Sequence, residues 1–321
     1  MHVKKLIIHI GRHKSGTSSV QKSLSSNTSL LSSIGILYPL FGRNGSAAGI
    51  AHHRLAKILN PKFSHRPDIK AIVNEISNEA TNSEETILLS SEAFQQISNF
   101  AYVREFLAEL NPHSILIICY FREHLDYAVS SYRQFIHANS NYINFLDYNK
   151  RFRSMEKFIG NWSSIGDFKM KWFSSNSLLD NDIISDFLNI AEINLRLASF
   201  RMNPSLGGDL FFLKLLFNFK GKQLFDYRTL SSLCTVKSEW NMPFKINSEL
   251  AIKIRERSDY NHSLISNLGK ITLKCFDKYP ALPTSNIKDD LINYLSKNHN
   301  ISINQKLSDN ILNGKYSHLL F

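Results

Sequence analysis

The run LIIHI, Leu6 to Ile10, passes at once into GRHKSGTSS, Gly11 to Ser19, and then into a polar, helix-compatible stretch. A strand, a glycine loop and a helix are expected in that order. Gly11 and Gly16 let the backbone turn sharply and approach a ligand, while the helix N-terminus presents open amide donors and a partial positive charge. Lys14 adds a full charge, and Thr17, Ser18 and Ser19 add hydroxyl donors where the helix begins. Such a convergence of amide, ammonium and hydroxyl groups suits one tetrahedral anion, a phosphate or a sulfate. A plain tight turn between strand and helix is the alternative for a glycine loop, and the lysine with its three hydroxyls argues against it.

The loop departs from the ATP- and GTP-binding pattern G-x-x-x-x-G-K-[ST], whose lysine follows the second glycine. Here Thr17 follows Gly16, and the lysine precedes that glycine by two residues. A magnesium-bound nucleoside triphosphate would lose its usual lysine contact.

Two further apolar runs repeat the opening arrangement. TILLSSEAF, Thr86 to Phe94, is predicted to be a buried strand that ends in serines and Glu92, and SILIICYFRE, Ser114 to Glu123, to be a strand broken abruptly by Arg122. Helical patterns at 68–82, at Val103 to Leu110 and from the second run to about His137 separate and follow them. Alternation of this kind predicts an α/β fold: a three-layer α/β/α arrangement with a central parallel sheet covered on both faces. Ligands of such sheets bind beyond the carboxyl ends of the strands, so the loop, Glu92 and Arg122 are expected on one edge.

Elsewhere the signals are weaker. GILYP, Gly35 to Pro39, reads as a short strand, 42–67 as loop with a short helix, 142–166 as helical, Asp167 to Ser174 as a strand and Asp182 to Ile190 as a helix. From Ser205 onward the chain is mostly helical, with an amphipathic pattern at 247–268. Residues 1–270 are read as one domain and 271–321 as a C-terminal extension packed on it.

A chain of 321 residues can bury a substantial core, and 43% hydrophobic with 20% charged residues is ordinary for a globular protein. The formal net charge of +11 favours anionic ligands, although a basic solvated surface would look the same. Cys119, Cys234 and Cys275 are far apart and form no C-x-x-C pair, so neither a disulfide framework nor a metal site is expected and a reducing compartment fits. The apolar start is too short for a signal peptide, and no run reaches the roughly 18 residues of a membrane span. A cytoplasmic protein is the simplest expectation, with peripheral membrane contact left open.

A second constellation follows the third strand in REHLDYAVSSY, Arg122 to Tyr132. Arg122 carries a planar fork of donors suited to a phosphate, and Ser130 lies eight residues on, about two helical turns along the following helix. The two could meet one phosphate if the helix folds back across the strand end. Pairing of Arg122 with Glu123 or Asp126 is the ordinary alternative.

KSGTSS, Lys14 to Ser19, together with this R-x7-S pair, resembles the two donor-binding signatures of sulfotransferases that use 3′-phosphoadenosine-5′-phosphosulfate (PAPS). Asp126, Ser130 and Tyr132 match the second signature at plus four, plus eight and plus ten. The start of the chain and SSEAF resemble a bacterial branch of that family, as do RMNPSLG, Arg201 to Gly207, and RERSDYNHSL, Arg255 to Leu264. Ser18 and Ser19 stand where that family has Thr more often, and Gly207 where it has Ser or Ala. The resemblance implies a P-loop-like strand, loop and helix. It also implies a donor set of Arg12, Lys14, Ser15, Gly16, Thr17, Ser18, Ser19, Arg122 and Ser130, with the loop on the 5′-phosphosulfate and Arg122 with Ser130 on the 3′-phosphate.

The reaction so implied moves a sulfuryl group from PAPS to a hydroxyl or amine, releases adenosine 3′,5′-bisphosphate and needs no metal. Lys14 would stabilise charge growing on the departing oxygen, and a general base would take the acceptor proton. Glu92 is the first choice for that base and His53, with its neighbour His52, the second. His13 could touch the sulfonate, whereas His9 is expected to be a hydrogen-bonded core residue. A carbohydrate or glycolipid acceptor is preferred, and no nucleic-acid signature is present. A nucleotide kinase or NTPase, and a non-catalytic protein for anionic glycans, are the competing readings.

Overall fold

The computed structural model describes residues 2–12, 14–43, 49–61, 66–81, 83–151, 155–200, 207–223, 225–237, 240, 249, 251–252, 254, 289–299, 310 and 319. These fall into two compact units: the first holds the described residues of Met1–Glu123 and Met155–Met202, the second those of His124–Ser154, Asn203–Tyr260 and Thr272–Phe321.

The first unit is α/β, built on five parallel strands. They are β1 (Lys5–His9), β2 (Ile36–Leu37), β3 (Thr86–Ser90), β4 (Ser114–Phe121) and β5 (Asp167–Trp172), in the spatial order β2-β3-β1-β4-β5. The middle register positions of the central strands, Leu6 to Ile8, Ile87 to Leu89 and Ile115 to Ile117, are all apolar because both faces are covered. Ile7, Leu88, Ile118 and Tyr120 point to a face that packs against Val20 and Leu24 of α1 (Thr17–Ser26), Leu31 of α2 (Thr28–Ser32) and Phe187 in the helix Ile183–Ala191. Leu6, Ile8, Ile87, Leu89 and Ile117, which alternate with them, are equally buried.

Chain direction makes the C-terminal edge of β1 and β4 special. From β1 the chain passes through α1 and α2 to β2 on one side, and from β4 it reaches β5 on the other. Neighbouring strands whose connections leave in opposite directions open a crevice between the two loops, where α/β sheets hold ligands. His9 at the end of β1 pairs with Ser90 on one side and Ile118 on the other, and β4 continues past that register to Phe121.

Two elements differ from the sequence expectation. β3 stops at Ser90, and Glu92–Gln96 forms a 3-10 turn, because the Ser91 hydroxyl accepts from the Ala93 amide at 3.0 Å and diverts the chain from the sheet. The helical stretch expected at 142–166 is divided between two short helices, Phe145–Asn149 and Glu156–Ser163, the first begun by an Asn144 cap on the Asp147 amide. The short strand at Gly35–Pro39 and the strand at Asp167–Ser174 are present as β2 and β5. Numbering the remaining helices in chain order gives α3 (His53–Ile58), α4 (Ile69–Asn78), α5 (Ala101–Leu110), α6 (His124–Ala138), α7 (Phe145–Asn149), α8 (Glu156–Ser163) and α9 (Ile183–Ala191).

The second unit is helical and has its own core. Tyr132 of α6, Phe145 of α7, Leu210, Phe211 and Leu213 of α10 (Gly208–Phe219), Leu230 and Leu233 of α11 (Tyr227–Val236), and Leu291 and Leu295 of α12 (Asp289–His299) pack together. Tyr132 donates its hydroxyl to the Ile143 carbonyl at 2.8 Å, so the tyrosine of the R-x7-S signature is a core residue here. Most of the amphipathic pattern at 247–268 lies outside the described residues. Among the described residues no helix is long and apolar enough to cross a membrane.

Candidate functional site

The loop after β1 is held by its own atoms. The Ile10 amide donates to the Ile118 carbonyl at 2.9 Å, which carries the first loop residue across to β4. The Ser15 hydroxyl and amide both donate to the Arg12 carbonyl, at 2.6 and 3.3 Å, and close a tight turn. Ser15 is therefore spent on loop geometry. Lys14 (φ 68°) and Gly16 (φ 76°) both adopt the left-handed conformation, ordinary for glycine and strained for lysine. Strain at a lysine in a ligand loop is the kind of outlier that clusters at functional sites.

The two glycines are there for space. A Cβ on Gly16 would stand 2.6 Å from the Phe173 ring and 2.7 Å from the Ile183 methyl, and one on Gly11 would stand 1.8 Å from the Thr17 methyl. Gly16 is also the N-cap of α1, so no side chain caps the helix, and its first turn contains no acidic residue. That helix end keeps its amides and its positive potential for something outside the chain. Lys14, Ser18 and Ser19 are partly exposed around it, and Thr17 is buried.

Arg122 braces the loop from β4. Its Nη1 donates to the Lys14 carbonyl at 3.1 Å, and its guanidinium lies 5.8 Å from the centre of the Phe173 ring, the same ring that limits Gly16. Arg12 is buried and sits 5.7 Å from the Phe121 ring at the end of β4. Ser130 is buried on α6 in the second unit, whereas Lys14, Glu92, His53 and Arg122 all belong to the first. His13 and residues 201–206 and 255–264 lie outside the described residues.

On the other side of the loop a carboxylate is held from two directions. Glu92 Oε2 accepts from Gln21 Nε2 at 2.8 Å, and Glu92 Oε1 faces His53 Nε2 at 3.7 Å. His53 Nδ1 is 2.8 Å from the Ser91 hydroxyl. The same hydroxyl oxygen accepts from the Ala93 amide, so Ser91 joins His53 to the turn that carries Glu92. Glu92 also lies against the loop, its Cβ 3.4 Å from where a Gly11 Cβ would be.

His52 has a different task. It accepts from the Ser90 amide at Nδ1, 3.0 Å away, and donates from Nε2 to the Pro39 carbonyl at 3.0 Å, and burial pushes its pKa down to about 3. Both nitrogens are occupied in joining β3 to the segment after β2, so it is a structural residue. His9, as expected, is a core residue: Nδ1 meets the Ser90 hydroxyl at 2.8 Å, and burial lowers its pKa to about 4 against the opposing pull of Glu92. No protein-family profile, curated protein or solved structure matches this chain. Among the described residues no group of three or more histidine, cysteine or acidic side chains is arranged to hold a metal ion.

Two participants were not read from the sequence. Gln21 occupies a polar position of a polar helix, and Ser91 follows a strand; neither has a spacing that announces it. Only the partners supplied by the fold, 71 residues away for Gln21, give it a role.

Proposed function

We propose that this protein is a sulfotransferase that uses PAPS as donor, on a three-layer α/β/α fold with a P-loop-like strand, loop and helix. What supports the reading most is one juxtaposition: an uncapped helix N-terminus beside Lys14, with the carboxylate of Glu92 against the same loop. An anion cradle and a proton acceptor side by side are the two requirements of transfer to a hydroxyl.

In this mechanism the helix N-terminus, Lys14 and the hydroxyls of Thr17, Ser18 and Ser19 hold the 5′-phosphosulfate, and Arg122 takes the 3′-phosphate. The acceptor oxygen attacks sulfur as the bond from sulfur to the bridging oxygen breaks. Glu92 takes the acceptor proton, and Lys14 neutralises the negative charge left on the bisphosphate product. Gln21 holds one carboxylate oxygen of Glu92 and His53 stands 3.7 Å from the other, and Glu92 serves as the base. A carbohydrate or glycolipid hydroxyl is the acceptor class this reading carries.

Binding to immobilised adenosine 3′,5′-bisphosphate, compared with Mg-ATP, tests the donor. Preference for the bisphosphate is expected, and preference for Mg-ATP would replace the reading with a nucleotide kinase or NTPase. With PAPS and a mixed glycan pool, Lys14→Ala and Glu92→Gln should each lower sulfate transfer by at least about 100-fold. Glu92→Gln should retain bisphosphate affinity, whereas Lys14→Ala should lose part of it.

A further inference from the structure

The first unit contains another cation at the same edge of the sheet, on the segment that follows β2. Arg43 is 6% exposed, and its guanidinium carbon lies 5.0 Å from the centre of the Tyr38 ring. Its Nε has no hydrogen-bond partner, and among the described residues no carboxylate stands within ion-pairing distance of it. The nearby groups that could have served are engaged elsewhere. Glu79, whose charge reaches Arg43, accepts from the amides of Leu40 and Phe41 at 2.5 and 2.6 Å, and the Tyr38 hydroxyl donates to the Ile50 carbonyl at 2.6 Å. A buried arginine Nε–H without an acceptor is unfavourable, so this one is left for a ligand that supplies the acceptor.

Its position relates it to the carboxylate site. The carbonyl of the preceding Gly42 accepts from the amides of Arg54 and Leu55, which ties Arg43 to α3, the helix that His53 opens. Tyr38, beneath the guanidinium, packs edge-on against His52 at 4.7 Å. Arg43 thus stands beside the helix whose first residue, His53, faces Glu92. The Nε and one Nη of an arginine form a planar fork that matches a carboxylate.

We infer that Arg43 binds a carboxylate of the acceptor, so that the group receiving the sulfuryl belongs to an acidic molecule of the uronic-acid kind. The word acceptor rests on the sulfuryl-transfer reading; the carboxylate site does not.

Glucuronate and glucose, as charged and neutral probes, test it by ligand-observed NMR, alongside titration with adenosine 3′,5′-bisphosphate. The full chain should bind glucuronate at least tenfold more tightly than glucose. Arg43→Lys should cost about tenfold in glucuronate affinity through loss of the fork, while bisphosphate affinity stays within twofold. In the unaltered protein one arginine Nε–H resonance, absent from Arg43→Lys, should move on addition of glucuronate and stay still with glucose; this readout stands even if the variant folds poorly. Equal binding of the two sugars, or a glucuronate affinity unchanged in Arg43→Lys, would overturn the assignment. Arg43-dependent glucuronate binding without any bisphosphate binding would keep the carboxylate site and remove the sulfotransferase.

Discussion

Gln21 shows how much one side chain can settle. A carboxylate that is to collect a proton must present a defined oxygen to the acceptor, and Glu92 is pinned at Oε2 by the Gln21 amide and approached at Oε1 by His53. Gln21 is buried, at 1% exposure, so its amide has no solvent to retreat to and its hydrogen bond is worth more than a surface one. Replacement by Leu removes the donor but keeps most of the volume. Under the proposed sulfuryl transfer, Gln21→Leu should lower kcat about tenfold, because the carboxylate is freed, and leave the KM for PAPS within about twofold, since nothing on the donor changes. A variant with unaltered kcat would make Gln21 a packing residue only.

At the scale of elements, the loop and α1 form a single mechanical piece with a tight stop beneath it. The Phe173 ring and the Ile183 methyl fill the space where a Gly16 side chain would go, and φ at Gly16 is one that other residues adopt only at a cost. Gly16→Ala should destabilise the protein by about 2–4 kcal/mol, the sum of a left-handed alanine and an overpacked contact, read from urea denaturation. Adding Phe173→Leu should recover the steric part and leave the conformational part. These elements also show what a sequence can disclose. β1, β3 and β4 were legible because a strand covered on both faces is written as an unbroken apolar run, and the loop because glycine and lysine have few other reasons to stand together. The end of β3 was not, since a single Ser91 hydroxyl turns the chain and moves Glu92 off the strand. His52 and His53 read alike as a pair, yet one is tied to two backbone groups and the other faces the carboxylate. Arg43 had no signal at all, because burial of a cation is decided by residues far along the chain.

The whole molecule should record its buried histidines in its response to acid. In the unfolded chain His9 and His52 protonate near 6.5, whereas burial holds them neutral down to about 4 and about 3 in the folded protein. The unfolded state therefore binds more protons between those values, and stability must fall as pH drops below about 6.5. Each histidine contributes a slope of up to ~1.4 kcal/mol per pH unit, and between pH 6.5 and 5 few carboxylates confuse the reading. Urea midpoints should decline through that window, and His9→Gln should make the decline shallower; a flat profile would mean that these imidazoles are charged in the fold. Gly16, at the anion end of α1, and Gln21, which grips the carboxylate, are five residues apart on one rigid helix, a rise of about 7.5 Å. Under the proposed sulfuryl transfer, the rise of this helix, and not loop conformation, is the ruler between donor and base, and a one-residue insertion between positions 17 and 20 would spoil that spacing while leaving every contacting side chain in the chain.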